Sequence, residues 1–137
     1  MNLQKVDALH WVRSRANQFF PSGKPEPVHL LAYLMADVLE LGHGSCTIRK
    51  VDHWWIIGSE ADWLRVEGCA PTDLFTRVVP APSHGQHSMR GEILTSAFAR
   101  SVWVTLAAER VRIQGETPPE SVWKATAGLH RVILFSI

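Results

Sequence analysis

Histidines and cysteines form the two pairs in this sequence whose spacing suits metal ligands. His84 and His87 lie three residues apart, His43 and Cys46 have the same separation, and Cys69 could supply a further thiolate. Structural zinc sites usually combine two matched pairs of closely spaced ligands. Here one pair lies in a predicted loop and the two cysteines are far apart in the chain. The sequence therefore predicts no metal site and no other cofactor.

A nucleophile and a base could also be brought together, with Cys46 or Ser88 beside a histidine, because a thiol or hydroxyl needs an adjacent base to react at neutral pH. Nothing in the spacing fixes such a geometry. The chain lacks the Gly-x-Ser-x-Gly elbow, a glycine-rich phosphate loop, a dinucleotide-binding fingerprint and a His-Glu-x-x-His pair. The missing signatures favour a protein without catalytic activity, and a hydrolase-like enzyme is the alternative.

Four polar side chains, His29, Tyr33, Asp37 and Glu40, follow one another at offsets of four, four and three residues. Residues with this spacing lie on one side of a helix. The simpler interpretation is that they form the solvent-exposed edge of a mostly buried helix. The functional interpretation is a polar wall in a binding cleft, with His29, Tyr33 and Asp37 as candidate binding residues.

Residues 81–91 form the longest polar, turn-rich stretch in the chain. His84, His87, Arg90 and Glu92 are candidate binding residues of this region, because loops held by a rigid scaffold often carry such residues. Arg90 is the preferred one, since its planar guanidinium can engage a carboxylate or phosphate at two points. The alternative is a solvated connector in which Arg90 and Glu92 pair only with each other.

Six tryptophans are many for a chain of 137 residues. Tryptophan is a favoured anchor of protein interfaces, although most of these residues are expected in the core. Trp54 and Trp55 are consecutive and would face opposite sides of a strand, so one of them is a candidate for exposure. Trp11 lies outside the apolar side of its predicted helix, and Trp63 lies in a short predicted helix. These four tryptophans are the candidate anchors, and partial cover of Trp11 by a loop is the alternative.

An apolar segment, residues 28–41, predicts the central helix around which the chain is organised. Pro27 suits the first helical position and Gly42 suits a left-handed cap after the last one. Apart from the polar side chains already named, every side of this helix is expected to face protein. An amphipathic helix over residues 3–20 would pack against it as a hairpin.

Three further helices follow from local signals. A capping box at residues 59–62 predicts a short helix through Trp63 that ends at Gly68. Helical spacing returns over residues 92–100. Thr117 as N-cap, with proline after it and glutamate three residues later, predicts a helix that ends before Gly128.

Strands are predicted where β-branched and aromatic residues are dense. Residues 45–51 and 53–58 form a hairpin with a turn near Asp52, and residues 74–79 and 129–137 form single strands, the last covered on both faces. Residues 102–106 and 111–114 also have the pattern of strands, with a helix continuing past residue 100 as the alternative. The unit from Val111 to Ile133 is a candidate βαβ crossover. The predicted fold is α+β, with a mainly antiparallel sheet of five or six strands, two N-terminal helices and further short helices packed against it.

Composition limits the functional classes. Hydrophobic residues make up 46% and charged residues 20% of the sequence, which indicates one folded domain over residues 1–137. A net charge of +1 provides no general attraction for nucleic acid or for an anionic membrane. The N-terminus has no pattern of a secretory signal, and no apolar run is long enough to span a bilayer. We therefore expect a cytoplasmic protein with free cysteines.

The function predicted from these observations is that of a small cytosolic binding protein that acts by protein–protein interaction. Its partner would be another protein or a second copy of itself. The alternative is a small-molecule-binding protein or a hydrolase-like enzyme, whose cleft would be lined by the polar side of the helix at 28–41 or by the histidine loop at 83–92.

Overall fold

The computed structural model describes residues 7–41, 45–79, 89–106 and 109–137. Its centre is an antiparallel sheet of five strands, which confirms the predicted α+β class. The strands in chain order are β1 (Thr47–Val51), β2 (Trp54–Ser59), β3 (Ser101–Leu106), β4 (Glu109–Gln114) and β5 (Arg131–Ser136). In space their order is β1-β2-β5-β3-β4.

Strand β5 occupies the middle of the sheet, as its apolar sequence predicts. Ile133 and Phe135 point to one face, where the larger core lies, and Val132 and Leu134 point to the other face and a second, smaller core. All four side chains are at most 1% exposed. Helices cover both faces, so the sheet is the middle of three layers.

The helices, in chain order, are α1 (Ala8–Arg13), α2 (Ala16–Phe19), α3 (Pro27–Leu41), α4 (Glu92–Phe98) and α5 (Glu120–Lys124), and a 3-10 helix spans Pro71–Phe75. Within the described ranges, none has both the length and the apolar character needed to cross a bilayer.

The hairpin β1–β2 confirms the prediction for residues 45–58. Its turn passes through Asp52, which adopts a positive φ of 54°, and Val51 pairs with Trp54 across it. Aspartate tolerates this left-handed conformation better than most residues. Strands β3 and β4 also form as predicted, so the helical alternative past residue 100 is wrong.

The crossover from β4 through α5 to β5 differs from the predicted one. β3 lies between β4 and β5 and is antiparallel to both of them, so β4 and β5 run parallel without being neighbours. Helix α5 begins at Glu120, two residues later than predicted with Thr117 as N-cap, because Pro119 keeps an extended conformation as the N-cap. The side chain of Trp123 in α5 covers Trp103 of β3, with ring centroids 5.6 Å apart.

The N-terminal helix is broken, contrary to the prediction of one helix over residues 3–20. α1 ends at Arg13, where Ser14 Oγ donates to the carbonyl of Trp11, and Arg15 adopts a non-helical φ of −121° before α2. The two parts of this segment pack on different helices. Arg13 Nε donates to the carbonyl of Ala97 at 3.0 Å, which holds α1 against α4, whereas α2 contacts α3 where the Tyr33 hydroxyl donates to the carbonyl of Phe19.

Two predictions for residues 59–79 are wrong. No helix follows Ser59, which is the last residue of β2, and Asp62 pairs with Arg131 at 2.9 Å instead of completing a cap. The predicted strand at 74–79 is replaced by the end of the 3-10 helix. That helix starts at Pro71, and its Asp73 carboxylate accepts from the amide of Ala70 at 3.1 Å. Local turn chemistry therefore outweighs β propensity here.

Helix α3 confirms the predicted central helix. Leu30, Leu34 and Val38 are completely buried against the sheet and the neighbouring elements. Gly42, the predicted cap, lies outside the described residues.

Candidate functional site

Arg90 and Glu92 form a buried ion pair at the start of α4. Arg90 Nη2 lies 2.5 Å from Glu92 Oε1, and its Nε lies 3.2 Å from the other carboxylate oxygen. Arg90 Nη2 also donates to the carbonyl of Trp63 at 3.0 Å. Arg90 is 4% exposed and Glu92 is fully buried. The predicted pairing of Arg90 with Glu92 is thus confirmed. The alternative of a solvated connector is wrong for these two residues, because both are buried. Burial also makes Arg90 inaccessible as a binding residue.

Asp37 of α3 belongs to the same cluster. Its Oδ2 accepts a hydrogen bond from the amide of Gly91 at 2.7 Å and lies 3.7 Å from Arg90 Nε. Asp37 is 1% exposed, so it belongs neither to a solvent edge nor to an open cleft. The reason is tertiary: α4 begins against α3, and its first amides need an acceptor.

Burial determines the protonation of the two carboxyl groups. It raises the pKa of Glu92 to about 7, with the nearby charge of Asp37 adding to the rise and Arg90 opposing it. Burial also raises the pKa of Asp37, against the hydrogen bond from Gly91 and the charge of Arg90.

Two carboxyl groups with raised pKa values can also serve as the general acid and general base of an enzyme. Here, however, the cluster is covered by protein, and its hydrogen bonds join α3, α4 and the backbone at Trp63. The packing around it is close, since a Cβ atom on Gly91 would lie 3.0 Å from Tyr33 Cβ. We therefore assign the cluster of Asp37, Arg90 and Glu92 a structural role.

The opposite side of α3 is exposed and apolar. Val28, Met35 and Leu39 are 64%, 38% and 45% exposed, and Ala32 between them is exposed as well. These four residues, here called the exposed stripe, are spaced by four, three and four positions, the spacing of a helix that packs along a second helix. The prediction that all apolar sides of this helix face protein is wrong for this side.

An open groove of about 420 Å³ runs beside the exposed stripe, between α2 and α3. His29, Ala32, Tyr33 and Ala36 line it from α3. The hydroxyl of Tyr33 donates to the carbonyl of Phe19 at 2.8 Å and joins the two walls. The remaining lining residues are Asn17, Gln18, Phe19, Phe20 and Pro21.

The predicted polar side of α3 is therefore divided among three environments. His29, 3.1 Å from Glu26, and Tyr33 lie at the groove, as the cleft interpretation requires. Glu40 is exposed, as the simpler interpretation requires, and Asp37 is buried.

The tryptophans are mostly core residues. Trp54 and Trp63 are each 1% exposed, so neither can anchor a partner. Trp55 faces the opposite side of β2 from Trp54, as predicted, but it is partly buried beneath the Lys50 ammonium. Of the predicted anchors, all of which lie in the described ranges, Trp11 alone is exposed, with the Arg15 guanidinium 4.1 Å from its ring centroid.

Two of the five candidate ligands from the sequence lie in the part of the chain that can be described. Cys46 and Cys69 are both free thiols. No group of three or more His, Cys, Asp or Glu residues with metal-binding geometry occurs among the residues described. His43, His84 and His87 lie outside the described residues.

Sequence reasoning missed the exposed stripe, because no signal in the sequence separates it from the buried side of the same helix. The segment 28–41 is apolar on nearly every side, and burial was the simpler explanation of that pattern. The spacing of the stripe's residues does not distinguish it from a core side. Leu31, Leu34 and Val38, which are buried, are likewise spaced by three and four positions. Comparison of the chain with protein-family models, with curated proteins and with solved structures finds no match.

Proposed function

We propose that this protein acts by protein–protein association and that the exposed stripe of α3 is its docking surface. The observation that supports the proposal is the exposure of Val28, Met35 and Leu39 in heptad spacing on a helix of 15 residues. Contiguous apolar side chains on a surface are typical of interaction sites. An exposed apolar side of a helix suits a partner that presents another apolar helix or an apolar groove.

The stripe is also held rigidly. Leu30, Leu34 and Val38 anchor the other side of α3 in the core, and Asp37 ties its middle to α4. A surface that is already ordered loses little conformational entropy when it binds. We place this activity in the cytosol, where the two unpaired thiols of the chain would persist.

The test compares wild-type protein with Met35→Glu, which introduces a charge in the middle of the stripe. Proteins captured from the native cell would be identified by mass spectrometry, and their affinities then measured calorimetrically with purified components, the chain itself included. We expect Met35→Glu to weaken binding at least about tenfold, because a carboxylate cannot be desolvated in an apolar contact without a partner.

Ile48→Glu is the matched control. Ile48 is 42% exposed and belongs to β1, not to the stripe, so the change adds the same charge to a different apolar surface residue. Binding should be unchanged in this variant. If all three proteins bind the same partners equally well, the stripe is not the docking surface.

A second candidate function, binding of a small molecule, is favoured by the groove beside the stripe. Its aromatic and aliphatic lining, together with the side-chain amides of Asn17 and Gln18, is typical of ligand sites. A screen of metabolites by thermal shift tests it, with Ala36→Trp to fill the groove. A ligand that stabilises the wild type but not this variant supports the candidate, and equal stabilisation of both contradicts it.

A further inference from the structure

We infer that the cluster of Asp37, Arg90 and Glu92 is a pH-controlled latch, which holds the first turn of α4 against α3 while one carboxyl group keeps a proton and releases this turn when the proton is lost. The inference is independent of the docking surface proposed above, since it concerns the buried side of α3. It is argued from the charges enclosed in the cluster, from the close packing around them and from the different attachment of the two ends of α4.

The cluster contains two carboxyl groups but a single cation. Arg90 is the cation, with its Nη2 2.5 Å from Glu92 Oε1 and its Nε 3.7 Å from Asp37 Oδ2. None of the three residues is more than 4% exposed. If both carboxyl groups were ionised, the cluster would enclose a net negative charge, whereas one proton makes it neutral. A buried charge without a partner is costly, so the closed arrangement favours the cluster that keeps the proton.

The charge balance of the cluster is set by its own three residues within the described part of the chain. The elements that pack against α4 are α1, α3, β3 and the 3-10 helix, and β3 carries no titratable residue. The other titratable residues of these elements are exposed or bonded elsewhere: His10 and Arg13 of α1, His29, Tyr33 and Glu40 of α3, and Asp73 of the 3-10 helix. Burial accordingly raises the pKa of Glu92 to about 7, with Asp37 adding to the rise and Arg90 opposing it.

The close contact of Gly91 with α3 links hydration of the cluster to movement of α4. Gly91 lies between Arg90 and Glu92, and an added Cβ atom would lie 3.0 Å from Tyr33 Cβ and 3.2 Å from the carbonyl oxygen of Tyr33. So close a contact leaves no space for water between the start of α4 and α3. Hydration of an ionised cluster therefore requires the start of α4 to separate from α3.

The C-terminal end of α4 is attached by bonds that do not depend on a carboxyl group. Arg13 donates to the carbonyls of Ala97 and Ser96, at 3.0 and 3.4 Å. The side-chain amide of Gln114 donates to the carbonyls of Ser96 and Ala99, at 2.9 and 2.8 Å. This end should stay in place when the cluster loses its proton.

The N-terminal end of α4 is attached mainly through the cluster. Gly91 donates its amide to Asp37, and the amide of Arg90 donates to the carbonyl of Val79 at 2.7 Å. Ile93 and Leu94 of the first turn are at most 1% exposed, so opening exposes apolar surface and the open form stays a minor population. The latch therefore changes how often the first turn opens and leaves the average structure unchanged.

Opening should become more frequent as pH rises. In the open form Glu92 is hydrated and titrates near its ordinary pKa of 4.5, whereas in the closed form its pKa is about 7. Between these two values the closed form keeps a proton that the open form has released. Each unit of pH then raises the ratio of open to closed molecules about tenfold, and above pH 7 the ratio stops changing.

Hydrogen exchange of single amides, followed by NMR, tests the latch because exchange detects minor open forms. Protection would be measured at pH 5, 6 and 7, corrected for the intrinsic pH dependence of exchange, and at several urea concentrations below the unfolding transition. The protection of Gly91 and Leu94 should fall about tenfold per pH unit. It should hardly depend on urea, because a local opening exposes little surface, whereas the amides of β5 should show the strong urea dependence of global unfolding.

Three variants identify the group that titrates. Glu92→Gln has no proton to lose, so its protection at Gly91 should not change between pH 5 and pH 7. Asp37→Asn leaves one carboxylate with one cation, which is neutral when ionised, and should also abolish the pH dependence. Glu40→Gln, which removes an exposed carboxyl group from the same helix, is the matched control and should behave as the wild type.

Two results for the wild type alone would overturn the inference, so the test does not require every variant to fold. The first is a urea dependence at Gly91 equal to that of the β5 amides, since the first turn would then open only with the whole chain. The second is a protection at Gly91 that does not fall between pH 5 and pH 7. An equal fall in the wild type and in a folded Glu92→Gln variant would also overturn it.

Discussion

Asp37 Oδ2, in the middle of α3, accepts a hydrogen bond of 2.7 Å from the amide of Gly91, the residue before α4. This bond gives an acceptor to an amide at the start of α4 and places a carboxylate near the positive end of that helix. Because it fixes one side of α3 against α4, it also determines which side remains outside. The exposed stripe is the side that lies away from this contact.

Removing the Asp37 carboxylate should destabilise the fold. Asp37→Ala leaves the buried Arg90 and the amide of Gly91 without this acceptor, and we expect the free energy of unfolding to fall by about 3 kcal/mol. Glu40→Ala, three residues further along the same helix but exposed, should change it by less than about 0.5 kcal/mol. Urea denaturation of both variants measures the difference. Equal, small effects would show that the hydrogen bond has no structural importance.

Arg90→Ala should be at least as damaging, with a loss of about 3 to 5 kcal/mol, because it leaves Glu92 buried without its cationic partner. Arg100→Ala is the control, since Arg100 makes an exposed ion pair with Glu116, 73% and 62% exposed respectively. Exposed pairs typically contribute less than about 1 kcal/mol. A stable Arg90→Ala variant would mean that this side chain is solvated after all, as expected from a loop position.

The stability of the protein should depend on pH through Glu92. Between its ordinary pKa of 4.5 and its folded-state pKa of about 7, the unfolded chain has released a proton that the folded chain keeps. The free energy of unfolding should therefore fall as pH rises through this range, by on the order of 1 kcal/mol per pH unit. The raised pKa of Asp37 acts in the same direction, whereas Arg90 opposes both shifts.

The measurement is the difference between the wild type and Glu92→Gln in chemical denaturation at several values of pH. Subtracting the variant removes the contribution of histidines and other groups common to both chains. We expect the difference to show the fall between pH 5 and pH 7. A difference that rises with pH would mean that Glu92 is ionised in the folded protein, with a lowered pKa.

Truncation on the two sides of α3 should have opposite consequences. Leu34→Ala removes a completely buried side chain and should cost about 2 to 5 kcal/mol of stability. Leu39→Ala, with 45% of the residue exposed, should cost less than about 1 kcal/mol but weaken association. Urea denaturation and calorimetric titration with a captured partner separate the two effects. Similar losses of stability would contradict the assignment of a core side and a docking side.

Local patterns were sufficient to predict much of the architecture. The apolar run that includes Ile133 and Phe135 predicted a central strand, Asp52 predicted a hairpin turn, and Pro27 predicted the start of α3, all of which the structure confirms. These features depend on the conformational preference of a single residue or on a long run of apolar residues. The prediction failed near Ser59, Leu74 and Thr117, where only a few residues indicated the structure and tertiary contacts determined it.

By itself, the sequence determined the α+β class, the central helix and the positions of most strands. The periodicity of apolar residues and the turn residues determine the backbone conformation within a short stretch of chain. Only the tertiary structure decided the environments of the candidate site residues. Asp37, Arg90 and Glu92 are buried because α4 begins against α3, and Trp54 and Trp63 are buried because the two faces of the sheet are covered. The same packing leaves Val28, Ala32, Met35 and Leu39 outside, since the core can cover one side of α3 but not its opposite side.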